Sequence, residues 1–140
     1  MTTQVNVTRQ TVLTAQREFD FQDFVSGVAT PLIYLKPSTR ILRGWIDITT
    51  AWNSGTSATL SIGDTEGTDD VDRWLVATNV KASALTPLTA PQTKSTIHTA
   101  EALTGTLTSV GTAPTAGKGV ITIEYIEENT RSSEFMTRRA

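Results

Sequence analysis

The most constraining feature of this sequence is a period of two. In Ala58-Thr-Leu-Ser-Ile-Gly63 the apolar positions Ala58, Leu60 and Ile62 alternate with small polar ones, and Ala102-Leu-Thr-Gly-Thr-Leu-Thr-Ser-Val110 sets Leu103, Gly105 and Leu107 against a row of threonines. Gly119-Val-Ile-Thr-Ile-Glu-Tyr-Ile-Glu127 sets Ile121, Ile123 and Tyr125 against Thr122, Glu124 and Ile126. Ile41–Thr50 does the same, with Leu42, Gly44, Ile46 and Ile48 on one face and Arg43, Trp45, Asp47 and Thr49 on the other. Alternation over such lengths is the signature of strands with one face buried and one wetted. No segment longer than about ten residues carries the 3.6-residue period of an amphipathic helix.

Threonine fills much of the wetted face: 27 of the 140 residues are threonine, a β-branched type suited to a pleated, half-solvated surface. Short strands bounded by Gly, Pro, Asn and Asp add Pro31–Lys36 to the set. Arg73–Thr78 reads as a strand or as a short helix capped by Asp70 or Asp72. Segments 41–50 and 58–63 read as a hairpin or near neighbours across Asn53-Ser-Gly55, and 102–110 with 119–127 as a hairpin across a Gly/Pro-rich connection. The expected fold class is all-β, a jelly-roll-like or Greek-key sandwich or barrel, with extended arms at both ends. The division expected is an N-terminal arm over 1–17, a β domain over 18–128 and a C-terminal tail over 129–140. Phe19, Phe21 and Phe24 read as core, because aromatic side chains dominate burial.

Composition then removes whole classes of function. The net charge of −2 and scattered basic residues leave no electrostatic footprint for nucleic acid. No run approaches the roughly 18 apolar residues of a membrane helix, and the first residues lack the basic start and apolar stretch of a secretory signal. The absence of cysteine excludes disulfides, thiolate nucleophiles and cysteine-ligated metals. His98, the single histidine, has only Glu101 near it and no Gly-x-Ser-x-Gly elbow to serve, so it reads as a solvated side chain. A carboxylate pair for glycan hydrolysis can be imagined in Glu124 and Asp47, with nothing to select it over others.

One acidic constellation, Asp64, Glu66, Asp69, Asp70 and Asp72, carries enough oxygen ligands for a structural calcium ion, but its spacing departs from the EF-hand order. A solvated turn is the plainer reading, and no cofactor is expected otherwise. Trp45, Trp52 and Trp74 read as core or interface anchors, or alternatively as a sugar-stacking platform. Apolar residues on polar leashes, Val5 and Val7 in the arm and Phe135 and Met136 in the tail, join Trp45 and Trp52 as expected interface residues.

The run Ile48-Thr-Thr-Ala-Trp-Asn-Ser-Gly-Thr-Ser-Ala-Thr-Leu-Ser-Ile-Gly-Asp64, the acidic loop, Asp72-Arg-Trp-Leu75 and the late Gly119–Tyr125 strand together resemble small virion proteins of tailed bacteriophages. The resemblance covers about half of the chain, from about Arg40 to Leu75 plus the last strand. It implies a β-sandwich or jelly-roll decoration (cement) protein on the outer capsid surface, made in the host cytoplasm. The partners it implies are the major capsid protein and other copies of itself, often as a trimer, with neither nucleic acid nor membrane involved. It carries over no individual binding residue. A receptor- or carbohydrate-binding module of a tail or head fibre is the alternative.

Overall fold

The computed structural model describes residues 11–65, 70–89, 96–97 and 101–127. They form nine strands: β1 (Leu13–Asp20), β2 (Ala29–Leu35), β3 (Thr39–Thr50), β4 (Ser57–Asp64), β5 (Asp70–Asn79), β6 (Leu85–Pro87), β7 (Thr96–Ile97), β8 (Glu101–Val110) and β9 (Lys118–Glu127). One sheet runs β1-β9-β3-β6, with β7 also on β3, and the other runs β2-β8-β4-β5; all pairs are antiparallel. Setting the two-residue β7 aside, the chain pairs like a long hairpin folded over: β1 with β9, β2 with β8, β3 with β6, β4 with β5. That is the strand order of a jelly-roll β-sandwich.

The alternating segments supply the interior. Ala58, Leu60, Ile62, Leu103, Leu107, Ile121 and Ile123 are all buried, as their spacing requires, and they meet across the two sheets with Phe19, Phe24, Ile46 and Ile48. The phase slips at one place. Ile41 is buried while Leu42 is 44% exposed, because a β-bulge between Ile41 and Arg43 in the pairing with β9 inserts one residue and reverses the faces before it. Residues 73–78 are strand, part of β5, and not helix.

Neither expected hairpin forms. β3 and β4 lie in different sheets, and so do β8 and β9. Their connectors are too long for a two-residue turn and instead carry the chain over the end of the sandwich. The 51–56 connector buries Trp52 on the way, and the 111–117 connector turns through Gly111 and Gly117. β1 also begins at Leu13, so part of the expected arm is a sheet strand.

The two sides of the sandwich are bridged by different means. On one, the Arg17 guanidinium of β1 donates to the carbonyls of Pro31 (2.8 Å) and Leu32 (3.0 Å) on β2. On the other, Leu88 N–H donates to Gly44 O of β3 and Thr89 N–H to Trp74 O of β5, at 2.8 and 2.7 Å.

Candidate functional site

At the end of the sandwich where β9 starts, the connectors 21–28, 51–56, 80–84 and 111–117 come together. Asn53 holds three of the bonds: its amide nitrogen donates to Thr115 Oγ1 (2.8 Å), and its oxygen accepts from the N–H groups of Thr115 (2.8 Å) and Ala116 (3.0 Å). Lys81 Nζ donates to Ser54 O at 2.8 Å, with Gly55 O and Thr56 O each at 3.4 Å. Beneath these bonds Trp52 is 1% exposed, packed against Phe19 with ring centroids 6.0 Å apart and against the backbone of Gly117. A Cβ at Gly117 would stand 2.3 Å from the indole, so the residue opposite the ring has to be glycine. Of the two readings its sequence allows, core or interface anchor, Trp52 takes the first: it is a core plug.

Beside it opens a cleft of 390 Å³ lined by Glu18, Phe19, Asp20, Asp23, Thr49 and Lys118 among others. Two of its carboxylates are occupied in building a turn. Asp20 Oδ1 accepts from Gln22 N–H and Asp23 Oδ2 from Asp20 N–H, each at 2.8 Å, which caps the short 3-10 turn Phe21–Asp23. That turn ends β1, and Phe21 packs half-buried against the core that Phe19 enters.

At the opposite end, Asp64 closes β4. Its side chain is buried and accepts from Trp74 Nε1 at 2.8 Å and from Arg73 Nη1 at 3.1 Å, while Arg73 Nε lies 3.8 Å from Asp70. Trp74 is itself fully buried. Gly63 makes this approach feasible, since a Cβ there would lie 1.8 Å from Asp70 O. Two of the five acidic residues weighed as calcium ligands thus face a guanidinium that already supplies positive charge. Glu66 and Asp69 lie outside the described residues, and no group of three or more metal-ligating side chains forms among the described ones.

The flat outer face of the β1-β9-β3-β6 sheet carries Trp45. Pairing sets Trp45 beside Thr122 and Pro87, and Asp47 beside Val120 and Leu85. Half-buried Trp45, half-buried Val120, exposed Pro87 and Leu85 (65% exposed) form an apolar strip across three strands. One row away Arg43 grips Glu124 through two bonds, Nε to Oε2 at 2.6 Å and Nη2 to Oε1 at 3.1 Å. The hydrogen bond from Arg43 holds the Glu124 carboxyl below its ordinary value, and the pairing raises the guanidinium above its own. Glu124 is accordingly ionised at neutral pH. Four residues separate it along β9 from Val120, the partner of Asp47, or roughly 13 Å at strand spacing, beyond the reach of a glycosidase carboxylate pair.

Of the residues expected to meet a partner, Trp45 alone reaches the described surface. Val5, Val7, Phe135, Met136 and His98 lie outside the described residues. Sequence reading missed the Asp64–Arg73–Trp74 group. Its signal was present: an Asp directly after a strand's glycine, and Arg-Trp at the start of the next strand.

The fold has known counterparts. The chain superposes on a subunit of the cyanophage Pam1 capsid asymmetric unit with a TM-score of 0.66 at 14% identity, covering 90% of this chain and 91% of that one. A subunit of the capsid of Ralstonia phage GP4 gives 0.62 at 14% identity, over 91% of each chain. A Bacillus protein of endospore appendages, described as a family of disulfide-linked pili, gives 0.50 at 13% identity, over 89% of this chain and 96% of that one. At such identities the likeness is one of fold. No protein-family model matches the sequence, and no curated protein matches it.

Proposed function

We propose that the chain is a bacteriophage capsid protein of the decoration, or cement, type, binding the outer surface of the head and stabilising it by subunit–subunit contacts. The observation that carries this reading is the near end-to-end match, over nine-tenths of both chains, to subunits of two phage capsids. The architecture supports it physically. A stiff sandwich with carboxylates committed to turns and ion pairs offers surface more than chemistry. The Trp45–Pro87–Leu85–Val120 strip provides an aromatic anchor of the kind that dominates protein interfaces. Repetition over a lattice multiplies modest single contacts through avidity. The partners under this reading are the major capsid protein and other copies of the chain, a trimer being the simplest ring.

Purified protein added to expanded heads that lack it tests the reading. Retention on the particles and a rise in their heat resistance are expected; protein that stays in the supernatant ends the proposal. A glycan-binding fibre module is the second reading, favoured by the partly exposed Trp45. It loses two of its three aromatic platforms, since Trp52 and Trp74 are buried. A Trp45 fluorescence change on adding cell-wall glycans would revive it.

A further inference from the structure

Apart from the two-residue β7, four of the described strands lie at the margins of the two sheets, and three of these have their outer edges obstructed. β2 has carbonyls taken by Arg17. β5 gives Trp74 O to Thr89 and Val76 O to the Thr78 hydroxyl. β6 is three residues long and ends in Pro87. Such devices keep a sheet from pairing with foreign strands. β1 differs: eight residues long, free of proline and, among the described residues, paired with β9 alone.

The direction of its free groups can be derived. Phe21 N–H donates to Gly117 O, and these two residues continue the β1–β9 register, so they form a hydrogen-bonded pair. Every second residue back from Phe21 then also points its backbone at β9: Phe19, Arg17, Ala15 and Leu13. The N–H and C=O of Thr14, Gln16, Glu18 and Asp20 point outward. Asp20 confirms the parity, because its N–H is the one the Asp23 carboxylate has taken. For Thr14, Gln16 and Glu18, no backbone hydrogen bond on this edge occurs among the described residues. The inner row of β1 opens in the same direction: Phe19 is 2% exposed, Ala15 and Arg17 are half-buried, and Leu13 is 37% exposed.

We infer that the outer edge of β1 is a strand-acceptor site for residues 4–8 of a second copy of this chain, Gln4-Val-Asn-Val-Thr8, with Val5 and Val7 laid over Ala15 and Leu13. The donor alternates at strand period and presents two β-branched side chains to one face. Its own β1 is a poor acceptor. Folding back onto it needs a tight turn within Arg9-Gln-Thr-Val12, which contains neither Gly, Pro, Asn nor Asp, and whose Thr11-Val12 favours continued extension. Residues 1–10 extended from the start of β1 span roughly 33 Å, enough to cross to a neighbour. This rests on the subunit-contact reading above and names the contact.

The chain's lack of cysteine makes the test clean. Full-length Val7→Cys protein is mixed with full-length Leu13→Cys protein, or Val5→Cys with Ala15→Cys, oxidised and run on a non-reducing gel. A heterodimer that exceeds both homodimers is expected. In the double variant V5C/A15C, disulfides between chains are expected, and a disulfide confined within one chain overturns the inference. Thr14→Pro removes an outward N–H without touching the β9 ladder. It should weaken self-association at least tenfold by sedimentation while the melting temperature stays within a few degrees. Wild-type protein that is monomeric at every concentration and forms no cross-chain disulfide also overturns it. Wild-type protein added to heads separates the two readings: retention without self-association sinks the strand-acceptor site alone, and self-association without retention sinks the capsid reading alone.

Discussion

The two ends of the sandwich are built on different physics. At the end where β9 begins, four connectors are knitted by neutral and charge-assisted hydrogen bonds from Asn53 and Lys81, over an indole pressed onto a glycine. At the other end, where β1 begins and β9 finishes, the described tie is a buried ion pair: Asp64 with Arg73, seconded by the Trp74 N–H. The first end spreads its stability over many small bonds, and the second concentrates it in one costly group. The central residues of each set fall within the motifs that resemble phage virion proteins, although Lys81 and Gly117 do not: Thr50-Ala-Trp-Asn53 supplies the plug and the amide clamp, while Ile62-Gly-Asp64 and Asp72-Arg-Trp74 supply the buried pair. Those motifs read as fold devices, which explains why no chemistry could be carried over from them. The described chain enters β1 and leaves β9 at the ion-pair end.

The sharpest way to break this contrast is at Asp64. Asp64→Ala leaves a buried guanidinium and an indole N–H facing a void, and removing one member of a buried pair typically costs about 3–5 kcal/mol. Chemical denaturation should show a loss of that size. A loss under about 1 kcal/mol would mean that water reaches Arg73 and that the end is not sealed. Gly117→Ala comes next. Its methyl would overlap the Trp52 ring, and overpacking of this kind costs about 1–3 kcal/mol. The near-ultraviolet dichroism of Trp52 should change with it, which an unrelated loss of stability would not produce.

Asn53→Ala tests the distributed end. Three hydrogen bonds vanish, but the groups they satisfied are exposed and water replaces them, so about 1–2 kcal/mol is expected. Hydrogen exchange should accelerate at Thr115 and Ala116 and stay unchanged at Trp74. Faster exchange at both ends would show that they are coupled and that the division into two ends is false.

How much of this could be read from the sequence depended on the range of the interaction. Period-two alternation fixes which side chains of β4, β8 and β9 face inward, because that choice is made residue by residue. It does not choose the neighbour. β3 with β4, and β8 with β9, look like hairpins from their turn residues, yet each connector crosses between sheets, a decision made by closure of the whole sandwich. Leu42 was assigned inward because a bulge is invisible until the partner strand is known. By sequence Trp52 reads equally as a core or an interface residue, and Asp64 as part of a solvated acidic loop. Their burial depends on Gly117 and Arg73, respectively 65 and 9 residues away in the chain, and only the Asp64–Arg73 pair lay close enough to be suspected. The outer face of the β1-β9-β3-β6 sheet was the most legible surface, since Arg43, Trp45 and Asp47 fell where their parity put them.

That face also gives the smallest expected effect. The pair Arg43–Glu124 lies on the flat sheet, and Arg43 is mostly exposed, so solvent screens it. Glu124 has its carboxyl held low by Arg43. A group whose folded value is depressed adds stability above its unfolded value, ordinarily about 4.3, and loses that contribution as the pH falls through the folded value. Glu124→Gln should therefore lower the melting temperature slightly at pH 7, and the gap between the two proteins should close as the pH drops below about 4. Salt at molar strength should narrow the gap at pH 7 as well, because an exposed pair is screened where the buried Asp64–Arg73 pair is not. A gap that persisted unchanged into acid would mean that the variant acts through packing on the sheet face and not through charge, and Trp45, one row away, would then be the residue to examine.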